Sequence, residues 1–285
     1  MATTTFFTVM LISDDVTFRL WGKGLSDALA ASGLTKRTSG EDSGQIDWAT
    51  VVKPAAGAIA GYEMWRFSDA LQTTQPLLVK IEYGIINVAG TIQWRVTVGF
   101  ASNGAGALTG FASTPTMLYP QSNPAAATMY AHKASGASNR IQAFLGYQMG
   151  VDYSTGFSAE RTHAASGEDT AEGIFVVVWS GAAPVLMLVT YATGLVTTEV
   201  TPSALLPSVG SGSTGTLTSF YPFFIARGPF LNPSLNLGFM FAGNVTVGVR
   251  VTVSLLGAAR IFFPCPSTLN TRGGVAGTVL MVRDE

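Results

Sequence analysis

Hydrophobic and polar positions along this chain follow two periods. Near the N-terminus Phe18, Trp21, Leu25 and Leu29 fall three and four apart, so they share one helical stripe. Thr17, or an Asp just before it, stands where a side-chain cap belongs, and Gly33 stands where a left-handed stop belongs. Gly22 and Gly24 each cost such a helix roughly 1 kcal/mol relative to Ala, so docking rather than propensity must hold it. A polar turn over residues 35–45 follows, with Lys36, Arg37, Glu41 and Asp42.

After Trp48 the period becomes two. Leu77, Val79, Ile81 and Tyr83 face one way while Leu78, Lys80 and Glu82 face the other. Ile92, Trp94, Val96, Val98 and Phe100 alternate with Thr91, Gln93, Arg95 and Thr97. Val245, Val247, Val249, Val251 and Val253 alternate with Thr246, Gly248, Arg250, Thr252 and Ser254. These runs predict antiparallel strands with one face in a core and one face outward. The breaks are rich in Gly, Asn, Ser and Pro, at residues 103–106, 122–124 and 208–215. Residues 173–198 carry no charge and are long enough to cross a membrane as a helix. Ser180, Gly181 and Pro184 are turn residues between β-branched flanks, so the segment reads as two strands.

Many strands, turn-rich links and one short N-terminal helix predict an all-β chain, an antiparallel β-sandwich or jelly-roll. A single domain over residues 1–285 is expected. A subdivision at residues 208–215 is the weaker reading, because apolar strand-like sequence resumes at Leu217 and Phe220.

Composition narrows the function. Of 285 residues only 12% are charged, against about 25% in an average soluble protein. Hydrophobic residues reach 47% and the formal net charge is −1, which argues against disorder and against nucleic-acid binding by bulk electrostatics. Residues 6–12 are apolar but lack a preceding basic residue and a small-residue cleavage site, so no secretory signal is read there.

Candidate chemistry is sparse. His132, His163 and Cys265 are too few for a structural zinc site, and Cys265, set between Pro264 and Pro266, reads as an inert thiol. Residues 210–215 match a dinucleotide-binding pattern, but the strand and helix that give it meaning are not predicted around it. Glu41, Asp42 and Asp47, like Glu168, Asp169 and Glu172, lack the ligand spacing of a calcium loop and read as solvated loop charge. Asn244 opens a glycosylation sequon, which means little without a secretory signal. Tyr119, Tyr130, Tyr153 and Phe157, taken as loop aromatics, suit an interface or a sugar-stacking platform. No catalytic, cofactor-binding or metal residue is therefore assigned.

The absence of charge is more informative. Between Glu199 and Arg227 there is none, and between Arg227 and Arg250 there is none again. A free monomer places charges on its outward strand faces, so this pattern points to surfaces covered by other chains.

One region also carries a resemblance. It runs from Phe18 to Gly110 and holds WATV from Trp48, AGYEMWRFSDALQ from Ala60, VKIEYG from Val79, TVG from Thr97 and SNGAGALTG from Ser102. This third of the chain resembles virion structural proteins of tailed bacteriophages, often described as tail or minor tail components. The resemblance implies a non-enzymatic structural component of the tail, baseplate or collar. Such a protein is assembled in the bacterial cytoplasm, partners with itself and other virion proteins, and neither inserts in membranes nor carries a cofactor. A receptor-binding or head-decoration module contacting host-surface glycan is the alternative. A glycan-degrading virion enzyme comes third, because acids are read only in loops and paired carboxylates facing a cleft are wanted.

Overall fold

The computed structural model describes residues 3–9, 11–31, 34–67, 72–73, 76–112, 116–118, 126–135, 141–149, 153–162, 173–180, 185–190, 194–196, 221–227, 230–241, 250–255, 258–269 and 278–283. Side chains are described chiefly within 11–31, 34–66 and 76–109. The readings placed on Gly33, Tyr119, His163, the acids at 168–172, the loop at 208–215 and the sequon at 244–246 lie outside the described residues.

The helical stripe forms α1 (Asp15–Ala31). Asp14 caps it: its Oδ1 accepts the Thr17 N–H at 2.8 Å, and Thr17 Oγ1 accepts the Asp14 N–H at 3.2 Å. Phe18, Trp21, Leu25 and Leu29 are all buried, as the three-and-four spacing predicts.

They pack on an antiparallel sheet of β2 (Leu34–Lys36), β3 (Ile59–Phe67), β4 (Leu78–Ile85), β5 (Ile92–Ser102) and β6 (Leu108–Ala112), with β7 (Thr116–Leu118) also pairing β5. Val79, Ile81 and Tyr83 of β4 and Ile92, Trp94, Val96 and Val98 of β5 supply the helix-side core. The Trp21 and Tyr83 rings meet edge-on with centroids 5.6 Å apart, and Trp48 meets Tyr83 edge-on at 4.8 Å.

The second face of this sheet departs from the expected solvent exposure. Thr91, Gln93 and Thr97 are buried, as is Leu78. Long side chains pair with one another across that face. Tyr62 pairs with Glu82 and Glu82 with Arg95 in register across β3, β4 and β5. Arg95 Nε and Nη2 donate to the two Glu82 oxygens at 2.7 and 2.9 Å, and Lys80 sits 4.9 Å from the Tyr62 ring centroid.

The remaining strands are also antiparallel. β1 (Thr3–Val9) pairs directly with β8 (Ala126–Ser135), so α1 and its sheet are inserted between two neighbouring strands. Next in that seven-stranded sheet come β9 (Ile141–Met149), β10 (Tyr153–Thr162), β11 (Gly173–Ser180), β12 (Val185–Thr190) and β13 (Gly194–Val196). The charge-free segment is thus strand pairing: Val178 faces Val185 and Gly173 faces Thr190 in β11 and β12. A five-stranded sheet follows in the order β14 (Tyr221–Arg227), β15 (Phe230–Phe241), β18 (Thr278–Arg283), β17 (Ala258–Leu269) and β16 (Val251–Leu255). Among the described residues the architecture is antiparallel strands in open sheets with one N-terminal helix. Among the described residues no helix is long and apolar enough to cross a membrane.

Candidate functional site

Among the described residues the densest polar chemistry lies between α1 and its sheet, on Glu63, which the sequence pattern does not single out as a candidate. Glu63 sits in mid-β3 and its side chain is fully buried. An unpartnered carboxylate there would be very costly, so the surrounding elements supply donors. Ser26 Oγ from α1 donates to Oε1 at 2.9 Å, Lys36 Nζ from β2 at 2.7 Å, and the Trp48 indole N–H at 3.0 Å. The Tyr83 hydroxyl of β4 donates to Oε2 at 2.6 Å. Burial, and then the Glu63 charge, push the Tyr83 phenol well above its ordinary range, so it stays a protonated donor. One carboxylate therefore joins the helix, three strands and the loop that carries Trp48.

A cleft of about 400 Å³ opens beside this hub, lined by Lys23, Ser26, Lys36, Ile46, Asp47, Trp48 and Ala49. Its cations are already engaged: Lys36 with Glu63, and Lys23 with Asp27 at 2.5 Å. Asp47 at its rim accepts from the Ala49 N–H and the Thr50 hydroxyl at 2.9 Å each, which hold its carboxyl below the usual range.

A second buried acid corrects the reading of loop charge. Asp42 has no exposed side-chain surface. Arg37 Nε donates to its Oδ2 at 2.5 Å, the Gly106 N–H to its Oδ1 at 3.2 Å, and the Ser102 hydroxyl also to Oδ1. Ser43 N–H adds a bond to the Gly104 carbonyl at 2.8 Å. Asp42 is thus a clip between the loop after β2 and the β5–β6 turn, which chain separation hides from a local reading. Its neighbour Glu41 pairs with Arg66 at 2.5 Å and accepts the Thr38 N–H, the main cause of its lowered pKa. Glu41 and Asp42 lie in the loop, but Asp47 faces away into its own turn. Among the described residues no three acidic, His or Cys side chains gather as a metal site would require.

Other candidates are redistributed by the strands. Tyr130 lies in β8, and Tyr153 and Phe157 lie in β10, so these aromatics do not form a loop platform. Their alternation with small and polar residues is strand periodicity. His132 is in β8 opposite Thr3 and Phe144, and Cys265 is within β17. The reading of acids only in loops is also corrected, since Glu63 and Glu82 stand on β3 and β4. An acid in an apolar strand, between Gly61 and Trp65 on the same strand face, is the signal that marks Glu63.

Chemically, both buried acids are saturated with donors from the chain itself, an arrangement suited to fixing geometry. Compared with protein-family models, curated proteins and solved structures, the chain matches none.

Proposed function

We propose that the chain is a structural component of a tailed-phage virion, in the tail, baseplate or collar. It assembles through contacts with its own copies and with other virion proteins. In this reading it is not an enzyme, and its sheets stack as a β-sandwich or jelly-roll.

The distribution of charge carries the proposal. Residues 11–109 are about a third of the chain yet hold just over half of its charged residues, whereas β11 to β15 together hold only Arg227. A strand exposes alternate residues on opposite faces, so one core cannot absorb both. Uncharged faces of that extent are stable when neighbours cover them, and lone exposed strands usually carry charge against edge pairing. The donor-saturated Glu63 and Asp42 fit the same role, since they hold geometry and leave no free nucleophile or base of their own. The sequence resemblance of residues 18–110 agrees with this reading.

Sedimentation of the full chain tests it. Self-association at micromolar concentration is expected, and Thr252→Lys, at an exposed position on β16, should weaken it with the fold unchanged. A soluble monomer at high concentration, absent from particles imaged with the protein labelled, would sink the proposal.

A further inference from the structure

Among the described residues four large hydrophobic side chains stand exposed: Val16 at 61%, Leu20 at 68%, Val52 at 65% and Val88 at 97%. Isolated exposed valines need no explanation, but these four are drawn to one end of α1 by specific tethers. Arg19 Nε donates to the Val51 carbonyl at 2.6 Å, and the Lys53 N–H donates to Asp15 Oδ1 at 2.9 Å. Val52 is therefore held between two attachments to the first turns of the helix. Val88 lies in the β4–β5 turn, which is fixed just ahead of the helix by the Ile12 N–H to Gly90 carbonyl bond at 2.7 Å and the Leu11–Thr91 bridge. Val16 and Leu20 are one turn apart on the side away from the buried stripe.

Two charges of opposite sign border these residues without an ion-pair partner among the described residues. The Asp14 carboxylate accepts from the Thr17 N–H and hydroxyl, from Ser13 and from the Val16 backbone, and those bonds, Thr17 first, hold it ionised below the usual range. Among the described residues no carboxylate lies within salt-bridge reach of Lys53, while neighbouring Arg19 and Asp15 face each other at 4.0 Å.

We propose that this patch is a self-association surface: a second copy packs its own patch against it across a two-fold axis, with Asp14 of each copy facing Lys53 of the other. A two-fold contact places the same surface on both sides, so each charge must find its complement on its own patch. Asp14 and Lys53 meet that requirement, and the four apolar side chains supply the apolar area of the contact. The proposal rests on the self-assembly proposed above and names one of its contact surfaces.

Sedimentation equilibrium of the full chain is the test, with circular dichroism to verify the fold. Leu20→Lys and, on the separate loop, Val52→Lys should each lower the association constant about tenfold. Asp14→Asn keeps the helix cap and removes the charge. It and Lys53→Gln should each weaken association about two- to fivefold, as exposed ion pairs do. The double variant should weaken it no further than either single change. Unchanged association in both lysine variants overturns the proposal. If Thr252→Lys still weakens association in that case, the assembly reading stands without this surface. Loss of the lysine variants from particles with self-association intact also overturns it, because the patch then belongs to a different protein.

Discussion

The indole of Trp48 occupies the place where Gly22 would carry a side chain: a Cβ on Gly22 falls 1.9 Å from Trp48 Cη2. The same indole donates its N–H to Glu63, so its position is fixed from both ends. Two effects then oppose each other in Gly22→Ala. Helix propensity favours Ala by roughly 1 kcal/mol. Overpacking against a ring that cannot retreat costs about 1–3 kcal/mol. The steric term wins, because moving the ring also breaks its bond to a buried carboxylate. Gly22→Ala is expected to lower stability by about 1–2 kcal/mol in chemical denaturation. A more stable variant would contradict this packing.

Trp21 tests the docking of the helix itself. It is buried against Phe18 and Tyr83, and Gly22 and Gly24 leave α1 too weak to persist alone. Trp21→Ala should cost about 3–5 kcal/mol, the usual range for emptying a large aromatic site. An unchanged denaturation midpoint would rule out the docking.

Glu63→Gln removes the charge from the hub and turns an amide N–H₂ toward donors. Lys36 then lacks its partner, although its one-third exposure gives it access to water. The loss should be about 2–4 kcal/mol, below the full cost of an orphaned buried charge. Tyr83→Phe deletes one hydrogen bond to a charged acceptor and should cost about 1.5–3 kcal/mol. Combining the two should cost less than their sum, because they share a partner. Additive losses in urea unfolding would argue against a connected hub.

What the sequence made legible follows from local periodicity. The α1 stripe, its Asp cap, and the pairing of β11 with β12 all rest on residues within a few positions of each other. The alternation in β4 and β5 was readable too, although the burial of Gln93 and Thr97 was not, because the alternation says which residues share a face and not what packs over that face. The buried acids escaped for the same reason. Asp42 is satisfied by Ser102 and Gly106, some sixty residues away, and Glu63 by donors on four other segments. Tyr130, Tyr153 and Phe157, read as loop aromatics, are strand residues whose small neighbours masked the alternation.

Stability should fall at high pH through Tyr83. Its pKa is raised in the folded state by burial and by the Glu63 charge. A raised value contributes stability that is complete below the unfolded value, about 10, and is lost as pH climbs toward the folded one. Unfolding free energy should therefore decline above about pH 10 by roughly 1.4 kcal/mol per pH unit from this group. Tyr83→Phe should remove that part of the slope. Tyr62, raised by burial and by Asp42 but only partly enclosed, should contribute less. Equal alkaline slopes in wild type and Tyr83→Phe would exclude Tyr83 as the source.

Asp42 offers a test of the loop clip that does not depend on global stability. Arg37 is held by two acceptors, the Asp42 carboxylate and the Glu41 carbonyl at 3.0 Å. Gln45 reinforces the loop from inside, its Nε2 donating to the Arg37 carbonyl at 2.7 Å and its Oε1 accepting the Met64 N–H at 2.8 Å. While those bonds stand, the backbone after Arg37 cannot extend into a protease cleft. Asp42→Ala removes the guanidinium's partner and the anchor to Ser102 and Gly106. Arg37 is near the surface and can turn to water, so the cost should sit at about 3 kcal/mol, the low end for a broken buried pair. Trypsin should then cut after Arg37 at concentrations that leave the wild-type chain whole, while the circular dichroism of helix and sheet persists. Ser102→Ala, which removes one of the three donors, should produce slower cutting at the same bond. Cleavage elsewhere first, with residue 37 still protected in Asp42→Ala, would show that Gln45 and the backbone bonds of Arg37 and Ser43 hold the loop without the Asp42 clip.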